Sequence, residues 1–462
     1  MSRWAQPDIS GREADDLGRE PDGRRSSRVV EWWGRAGPMT GGRDGILAGV
    51  KVVELAQNAA VPHCGRLLAG LGADVVKVEP PQGDAMRHVS GLAPNESRAF
   101  AVINPGKRGI TVDLGSPSAG PVVDALFAWA DVALVAFKLP DLARYGIDWE
   151  HARTINPRLV HLTHSPMGPK GPDADLGGYD PLVQGRSGLG FMMNRAGATA
   201  PQPTRPAIND FSTGFTSAFA VMAGLRHRDL TGEGQRVDSS LLGTAISLGT
   251  PVLGSFPVDR EALDELDADL AALQAAGVDF ESRREVYDSR MQPAGGAFLL
   301  YFRHYQTADG LISVGGMSQH LWTRFHEATG LPRPTTSDPT EASFVELVGA
   351  ANELFATRPT AEWLELLRAA GYPASPYHLP HEAVRDPQVM ANDFVVDLEH
   401  PTIGPYRTTG MPVQFEKAPA SISGPSPGLG EHTLEVMAEI GFDQDEVRSL
   451  VEGGTIRSAP VD

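Results

Sequence analysis

Two aspartates stand where a carboxylate can be positioned for chemistry, and Asp210 is the first of them. It follows an extended, apolar stretch at residues 204–209 and precedes a helical pattern, so it is predicted to be the N-cap residue of that helix. Backbone N–H groups and the helix dipole at such a position hold a carboxylate ionised at neutral pH. An ionised, positioned carboxylate can attack an activated acyl group. Most aspartates at helix starts only cap their helix, so the residue type alone leaves both interpretations open.

Asp180 is the second aspartate, in the segment 177–188 between a loop rich in Pro and Gly and a short helical stretch. It is also predicted to be an N-cap or turn residue, and a second carboxylate near the first would tune or orient it. The helix after Asp210 carries apolar residues at helical spacing that are predicted to form its buried face: Phe211, Phe215, Phe219 and Met222.

Basic side chains and two histidines are the other candidates for ligand binding. Arg87, Lys107 and Arg108 lie beside the ends of predicted strands, where ligands of open α/β sheets bind, although solvated surface charge explains them equally well. His161 and His164 are three residues apart on a predicted strand and therefore point to opposite faces. They are not predicted to share a metal ion, and no metal site is expected.

Alternating strands and helices must position these residues. Apolar segments at 49–55, 74–80, 106–114, 131–137 and 155–165 are predicted strands, separated by helical stretches. This alternation predicts an α/β fold with a parallel sheet covered on both faces. Further along, the patterns indicate a helix at 211–228, an acidic helix near 259–275, a smaller α+β unit from about residue 300, and two helices at the end.

Composition excludes several classes of protein. The 462 residues carry 40 Lys plus Arg against 58 Asp plus Glu, a net charge of −18 that argues against binding a nucleic-acid backbone. The single cysteine, Cys64, excludes an internal disulfide and a cysteine zinc site. No apolar run is long enough to span a membrane, and the first residues do not resemble a secretory signal, so a cytoplasmic protein is expected. Residues 1–44, with Trp32 and Trp33, are predicted to be a partly disordered extension.

The order of the motifs along the chain resembles a known family. The motifs are GVKVVEL…LLAGLGADVVKVEPPQGDAMR (49–87), NPGKRGITVDL (104–114), NPRLV (156–160), GGYDPLVQGRSG (177–188), NDFSTG…TGEGQRVD (209–238), YQTADGLISVGG (305–316) and LGEHTLEVMAEIGF (429–442). In this order they are similar to the family III CoA-transferases, the group that includes formyl-CoA transferase and carnitine CoA-transferase, with 2-methylacyl-CoA racemase as a relative. The resemblance runs from about Gly45 to the last helix.

The resemblance implies a Rossmann-like large domain with a parallel sheet, a smaller α+β domain, and a homodimer of interlocked chains with the active site between domains of partner chains. The corresponding division of this chain is an N-terminal extension (1–44), the first part of the large domain (45–245), a linker and substrate-loop region (246–299), a small domain (300–375) and a return segment that completes the large domain (376–462).

The resemblance also assigns roles to residues. Asp210 takes the position of the nucleophile that attacks an acyl-CoA thioester, giving an aspartyl anhydride and then an aspartyl-CoA thioester before CoA passes to an acceptor acid. Coenzyme A is then substrate and product, and no tightly bound cofactor is expected. The other residues at matching site positions are Asp180, Tyr179, Gly295 and Gly296, the two glycines standing where the family has a longer glycine loop. The residues implied in CoA binding are Arg87, Arg144, Phe137, Lys107 and Arg108.

Two alternatives stay open at this point. The racemases use a histidine immediately before the aspartate that matches Asp180, and this chain has Tyr179 there, whose phenol is a poor partner for proton exchange. The sequence therefore favours a transferase over a racemase. The second alternative is a protein that binds CoA esters without turnover. Ala59 stands where formyl-CoA transferase carries a glutamine, which argues against oxalate as the acceptor.

Overall fold

The computed structural model describes residues 45–193, 202–291, 296–336 and 338–459. The predicted extension with Trp32 and Trp33, and Gly295 of the predicted glycine loop, lie outside these residues. The strands of the described chain are β1 (Lys51–Leu55), β2 (Asp74–Glu79), β3 (Gly91–Ala93), β4 (Glu96–Ser97), β5 (Arg108–Thr111), β6 (Val132–Val135), β7 (Val160–Ser165), β8 (Gln235–Ser240), β9 (Phe302–Gln306), β10 (Leu311–Gly315), β11 (Ala374–Pro376), β12 (Val395–His400) and β13 (Gly404–Thr409).

Helices connect and cover these strands. In chain order they are α1 (Ala60–Gly70), α2 (Arg98–Ile103), α3 (Ala119–Trp129), α4 (Leu139–Arg144), α5 (Trp149–Ile155), α6 (Asp180–Arg186), α7 (Leu189–Met193), α8 (Ile208–Thr231), α9 (Leu241–Leu248), α10 (Thr250–Leu253), α11 (Arg260–Ala275), α12 (Phe280–Met291), α13 (Gly296–Tyr301), α14 (Gln319–Thr329), α15 (Ala342–Phe355), α16 (Thr360–Ala369), α17 (Pro380–Ala383), α18 (Pro387–Ala391), α19 (Thr433–Glu439) and α20 (Gln444–Glu452).

A six-stranded parallel sheet in the order β5-β2-β1-β6-β7-β8 organises the fold. The predicted α/β class is thus confirmed, and each of the five predicted strands is present. Strand β8 was missed. Its sequence, QRVDSS, has a single apolar residue, because β8 is a sheet edge whose side chains alternate between half-buried and exposed. The strand order places the point where the chain changes direction across the sheet between β1 and β6.

Two apolar cores cover the two faces of this sheet. On one face the strands pack against α3 and α5, and also against residues near the end of the chain, including Val436, Met437 and Leu450. On the other face they pack against α1 and α8. Because both faces are covered, the central strands consist almost entirely of buried residues, as the apolar sequence runs predicted.

A separate core lies in the antiparallel unit formed by β9, β10 and β11 with α14, α15 and α16. Tyr301 and Tyr305 are buried in it, whereas Phe302 is half exposed. These two tyrosines therefore serve core packing. The preceding segment, predicted to be a linker with one acidic helix, is largely helical. Helix α11 matches the predicted helix, and in the chain it is preceded by α9 and α10 and followed by α12. The predicted domain boundaries at 245, 299 and 375 stay predictions.

Candidate active site

A cavity of about 540 Å³ opens at the carboxyl ends of the parallel strands. Its walls are residues 57–61 after β1, residues 136–138 after β6, His164 on β7, and residues 177–179, together with Asp210. The cavity therefore lies at the carboxyl ends of the neighbouring strands β1 and β6, where the strand order reverses, which is the position at which open α/β sheets bind ligands.

Asp210 lies in this wall, but one turn deeper into its helix than predicted. Helix α8 begins at Ile208, its N-cap residue is Ala207, and Asp210 is the third helical residue. The N-cap prediction was wrong because another carboxylate caps this helix. Asp180 Oδ2 accepts the backbone N–H groups of Asn209 and Asp210 at 2.9 and 3.0 Å.

Asp180 is thus brought next to Asp210, as predicted, in a supporting position. Its side chain is buried, and its second oxygen accepts a hydrogen bond from Gln184 Nε2. Gln184 in turn binds the backbone N–H of Thr204 through Oε1, at 3.1 Å. The start of the helix that carries Asp210 is therefore fixed by a carboxylate from α6, a contact typically worth about 1 kcal/mol.

The environment of Asp210 changes its acidity. Burial, and then the negative charge of Asp180, raise the pKa of Asp210 from 3.8 to about 6. The sequence predicted a carboxylate held ionised by helix N–H groups, but those groups serve Asp180. Roughly nine-tenths of Asp210 is still ionised at pH 7. A carboxylate with a raised pKa is also a stronger base and nucleophile than an exposed aspartate, which suits it to attack an acyl carbon.

The turn after β1 contributes the start of a helix to the cavity wall. Helix α1 begins at Ala60, and no side chain caps its N-terminus. Residues 57–61 line the cavity, so the positive end of the helix dipole and its backbone N–H groups lie at the cavity wall. Such an end stabilises negative charge. The cavity thus combines a carboxylate with a region that favours the oxyanion formed when that carboxylate attacks a carbonyl.

Tyr179 and Phe137, both predicted from the resemblance, line the same cavity. Tyr179 is 65% exposed and Phe137 packs edge-on against Tyr145. Sequence reasoning missed Lys138 and considered His164 only as a metal ligand. Lys138 lies just beyond the carboxyl end of β6 and His164 lies near the carboxyl end of β7, and this position was the signal that could have assigned them to the cavity.

Arg87 and Lys107 are not available to a CoA phosphate, which corrects the prediction for both. All donor groups of the buried Arg87 guanidinium are used inside the protein, by Glu79, Glu96 and two backbone carbonyls. The ammonium of Lys107 is buried and donates to Glu54, Asn104 and the carbonyl of Pro62. Sequence alone gave these residues a positive charge but not their burial.

The remaining two cations differ from each other. Arg108 begins β5 and therefore lies at the amino edge of the sheet, opposite the cavity, where it pairs with Asp74, Glu435 and Glu439. This position corrects the prediction that it binds CoA. Arg144 ends α4, two turns after the cavity residue Phe137, with its side chain exposed to solvent. It stays a predicted phosphate contact, and Gly296, the first residue of α13, stays a predicted loop residue.

Gly214 allows the helix of Asp210 to approach the helix of the turn. A Cβ atom at Gly214 would lie 2.6 Å from a ring carbon of His63 and 2.9 Å from the backbone oxygen of Ala60. We expect Gly214→Ala to push α8 away from α1, lowering the free energy of unfolding by about 1–3 kcal/mol and reducing turnover. Denaturant unfolding with Gly349→Ala as control tests this. Gly349 lies in α15 with open space around it, so that variant should be neutral or slightly stabilising.

Within the described ranges, no three His, Cys, Asp or Glu side chains are grouped so that they could hold a metal ion. His161 and His164 do point to opposite faces, as predicted: His161 packs between Phe127 and Trp149, whereas His164 bonds Ser239. No helix in the described part of the chain is both long and apolar enough to cross a membrane.

Comparison with known proteins decides the family. Residues 47–433 match the model of CoA-transferase family III. The chain belongs to this family. The resemblance seen in the motifs is thereby confirmed over most of the chain.

Characterised relatives extend over the same region. The succinate–glutarate CoA-transferase of Agrobacterium fabrum is 31% identical over 415 residues, which cover 85% of this chain and 95% of that protein. The formyl-CoA:oxalate CoA-transferase of Streptomyces avermitilis is 28% identical over 427 residues, covering 89% and 99%. The crystal structure of a CaiB/BaiF family protein from Brucella suis superposes with a TM-score of 0.68 at 26% identity, covering 86% of this chain and all of that one.

Proposed function

We propose that the protein transfers CoA from an acyl-CoA thioester to a carboxylic acid, with Asp210 as the nucleophile. The observation that carries this proposal is the position of Asp210: it is a partly buried carboxylate in the wall of the cavity at the crossover of the sheet, and it shares that wall with a turn that stabilises negative charge. Membership of CoA-transferase family III and the names of the relatives support the reaction class.

The proposed chemistry divides one transfer into four acyl transfers. The Asp210 carboxylate attacks the donor thioester, which gives a mixed anhydride and CoA thiolate. The thiolate attacks the aspartyl carbonyl, which releases the donor acid and leaves an aspartyl-CoA thioester. The acceptor carboxylate then attacks that thioester and expels the thiolate, giving a second anhydride. The thiolate opens this anhydride at the acceptor acyl carbon and restores the Asp210 carboxylate. Thioester energy is kept throughout, and no tightly bound cofactor takes part.

Each step places negative charge on a carbonyl oxygen beside Asp210. The backbone N–H groups at the start of α1 lie in the cavity wall and can stabilise this charge. Asp180 supports the reaction in two ways: it fixes the first turn of α8, and its charge keeps the pKa of Asp210 raised. A more basic aspartate attacks more readily, and as an anhydride or thioester it no longer carries a charge that Asp180 repels.

Lys138 is proposed as a contact for the anionic part of acyl-CoA. Its exposed side chain lines the cavity just after Phe137. We expect Lys138→Ala to raise the KM for acyl-CoA by about twofold to fivefold while kcat changes little, since an exposed charge pair contributes up to about 1 kcal/mol. Lys417→Ala, the same change at a solvent-exposed site not in the cavity wall, is the control. An unchanged KM in Lys138→Ala would contradict the contact.

The racemase alternative needs two groups that exchange a proton with the α-carbon from opposite sides. His164 is a histidine of the cavity wall, but burial lowers its pKa to about 4, so its imidazolium form is scarce at neutral pH. Asp180, which follows Tyr179, uses its carboxylate to cap α8. The site therefore supports transfer more strongly than racemisation.

The test is to offer the protein pairs of acyl-CoAs and carboxylic acids and to identify thioester products by mass. A new acyl-CoA should appear only when donor and acceptor are both present. Deuterium uptake at the α-carbon of a 2-methylacyl-CoA without a new thioester would instead establish a racemase. Binding of CoA esters with neither reaction would establish the binding protein. Ala59 in the cavity wall offers no amide to a small diacid, so we expect oxalate to be a poor acceptor.

We further propose that two copies of the chain form the active unit, interlocked as the resemblance implies. Phe211, Phe215, Phe219 and Met222 were predicted to be buried, but Phe215 is 45% and Phe219 76% exposed. The buried face of α8 instead consists of small residues that pack on α1. An exposed aromatic stripe on a long helix is typical of an interface. Light scattering should give twice 49.3 kDa, and a monomer of full activity would contradict this.

The single, buried cysteine fits the reducing cytoplasm, where we place the protein.

A further inference from the structure

Four charged side chains are buried together beneath the turn that lines the cavity. We call them the ion cluster: Glu54 on β1, Lys77 on β2, Asp84 and Lys107. The carboxylate of Glu54 lies between the two lysines, 3.1 Å from Lys77 Nζ and 2.8 Å from Lys107 Nζ. Asp84 lies 2.9 Å from Lys77 Nζ. All four side chains are fully shielded from solvent, and their formal charges sum to zero.

The ion cluster holds the turn after β1 at both of its ends and near its middle. Lys77 Nζ donates a hydrogen bond of 2.7 Å to the carbonyl of Ala56, and Lys107 Nζ donates one of 2.7 Å to the carbonyl of Pro62. Asp84 Oδ1 accepts the backbone N–H of Asn58 at 3.2 Å. Asn58 has a φ of 68°, in the left-handed region that a non-glycine residue adopts only when its surroundings impose it.

The ion cluster itself does not face the cavity. None of its four side chains is in the cavity wall, which is formed instead by residues 57–61 of the turn. Its effect on a bound substrate is therefore indirect, through the position of the backbone N–H groups at the start of α1 relative to Asp210. An error of about 1 Å in such a position is enough to slow a reaction about a hundredfold.

Stability alone does not account for this arrangement. Replacing a buried set of paired charges by apolar residues is often neutral or stabilising. The helix next to it is moreover shaped around the carboxylate. A Cβ atom at Gly65 of α1 would lie only 1.9 Å from Glu54 Oε2, so α1 can take its place only with a glycine there.

We propose that Glu54 is a positioning residue for the transfer reaction. By holding Lys77 and Lys107 at a fixed separation, it fixes the two ends of the turn and thereby the backbone groups that share the cavity wall with Asp210. This inference rests on the proposed function, since it assumes that Asp210 attacks a thioester in this cavity.

The variant Glu54→Gln tests the inference because it keeps the shape of the side chain and removes its charge. We expect kcat to fall about tenfold to a hundredfold, with the KM for acyl-CoA within about threefold of wild type. The matched control is Glu96→Gln, another buried carboxylate, which pairs with Arg87 and His400 and does not touch the turn. It should keep its kcat.

A second variant separates positioning from folding. Glu54→Asp keeps the charge between the two lysines, so it should recover part of the kcat that Glu54→Gln loses. If Glu54→Gln does not fold, the kcat of Glu54→Asp is compared with that of wild type instead. A kcat equal to wild type in the folded Glu54 variants would overturn the inference. So would a loss of kcat that merely follows the fraction of unfolded protein or that appears equally in Glu96→Gln.

Trapping of the acyl-enzyme with hydroxylamine keeps this inference distinct from the proposed function. Wild-type protein that forms no hydroxamate at Asp210 with any acyl-CoA would refute the proposed function. Wild-type protein that forms it, with Glu54→Gln forming it at the same rate, would refute only the role of Glu54.

Discussion

Asp210→Asn is expected to be inactive yet at least as stable as the wild-type protein. The amide is not a nucleophile towards a thioester, so kcat should fall by about a thousandfold or more. The burial and the like charge that raise the pKa of Asp210 also make its ionised form unfavourable in the folded protein above pH 6. Removing that charge should stabilise the fold by up to about 3 kcal/mol at pH 8. Steady-state kinetics and denaturant unfolding of one preparation measure both effects.

The control for this prediction is Asp229→Asn, which changes an exposed carboxylate on the same helix, α8. It should leave kcat and stability near wild type. The account would be contradicted if Asp210→Asn retained substantial turnover, or if its inactivity came with a loss of folded protein. In the second case Asp210 would be a structural residue whose removal disturbs the first turn of α8.

Activity should fall as the pH is lowered through about 6, and this is the second large effect. Only the ionised Asp210 attacks, and with a pKa of about 6 roughly one-tenth of it is ionised at pH 5. Asp180→Asn should move this fall to lower pH, because it removes the negative charge that helps to raise the pKa of Asp210. The amide oxygen of the variant can still accept the backbone N–H groups of Asn209 and Asp210. The profile of kcat/KM against pH is the measurement.

The direction of the shift is decisive here. A profile that moves to lower pH in Asp180→Asn supports the coupling of the two carboxylates. A profile that stays in place, while the same variant keeps its fold, would show that another group sets the acid limb. Asp180→Ala, which also removes the cap on α8, should lose stability in addition, by about 1–2 kcal/mol.

Much of the sheet could be predicted because strands covered on both faces are rich in apolar residues, even where β1 and β2 also carry the buried charges of Glu54 and Lys77. β1, β2, β6 and β7 have nearly all of their residues buried, and all were found. β8 does not, since one of its sides is open at the edge of the sheet. The spacing of Phe215 and Phe219 on α8 was also detected, but the same spacing serves a core and an exposed stripe. Only the packing of small residues on α1 shows which of the two applies.

The candidate site was found in part for a similar reason. Asp210, Asp180 and Tyr179 lie in motifs that can be recognised in the sequence, and the structure brings them to one cavity or its immediate support. Contacts between distant residues could not be seen. The capping of α8 by Asp180 spans thirty residues, and the bond of Lys107 to Glu54 spans 53. A sequence shows that a side chain is charged, whereas its partners and burial depend on how the chain folds.

The most direct test of the central claim is to trap the acyl group on Asp210. The protein is incubated with a panel of acyl-CoAs, treated with hydroxylamine, digested and examined by mass spectrometry. Hydroxylamine converts an activated aspartyl carbonyl to a hydroxamate and leaves a free carboxylate unchanged. We expect a hydroxamate at Asp210 with at least one donor, and none in Asp210→Asn. A hydroxamate at another residue, or none with any donor that the protein consumes, would contradict it.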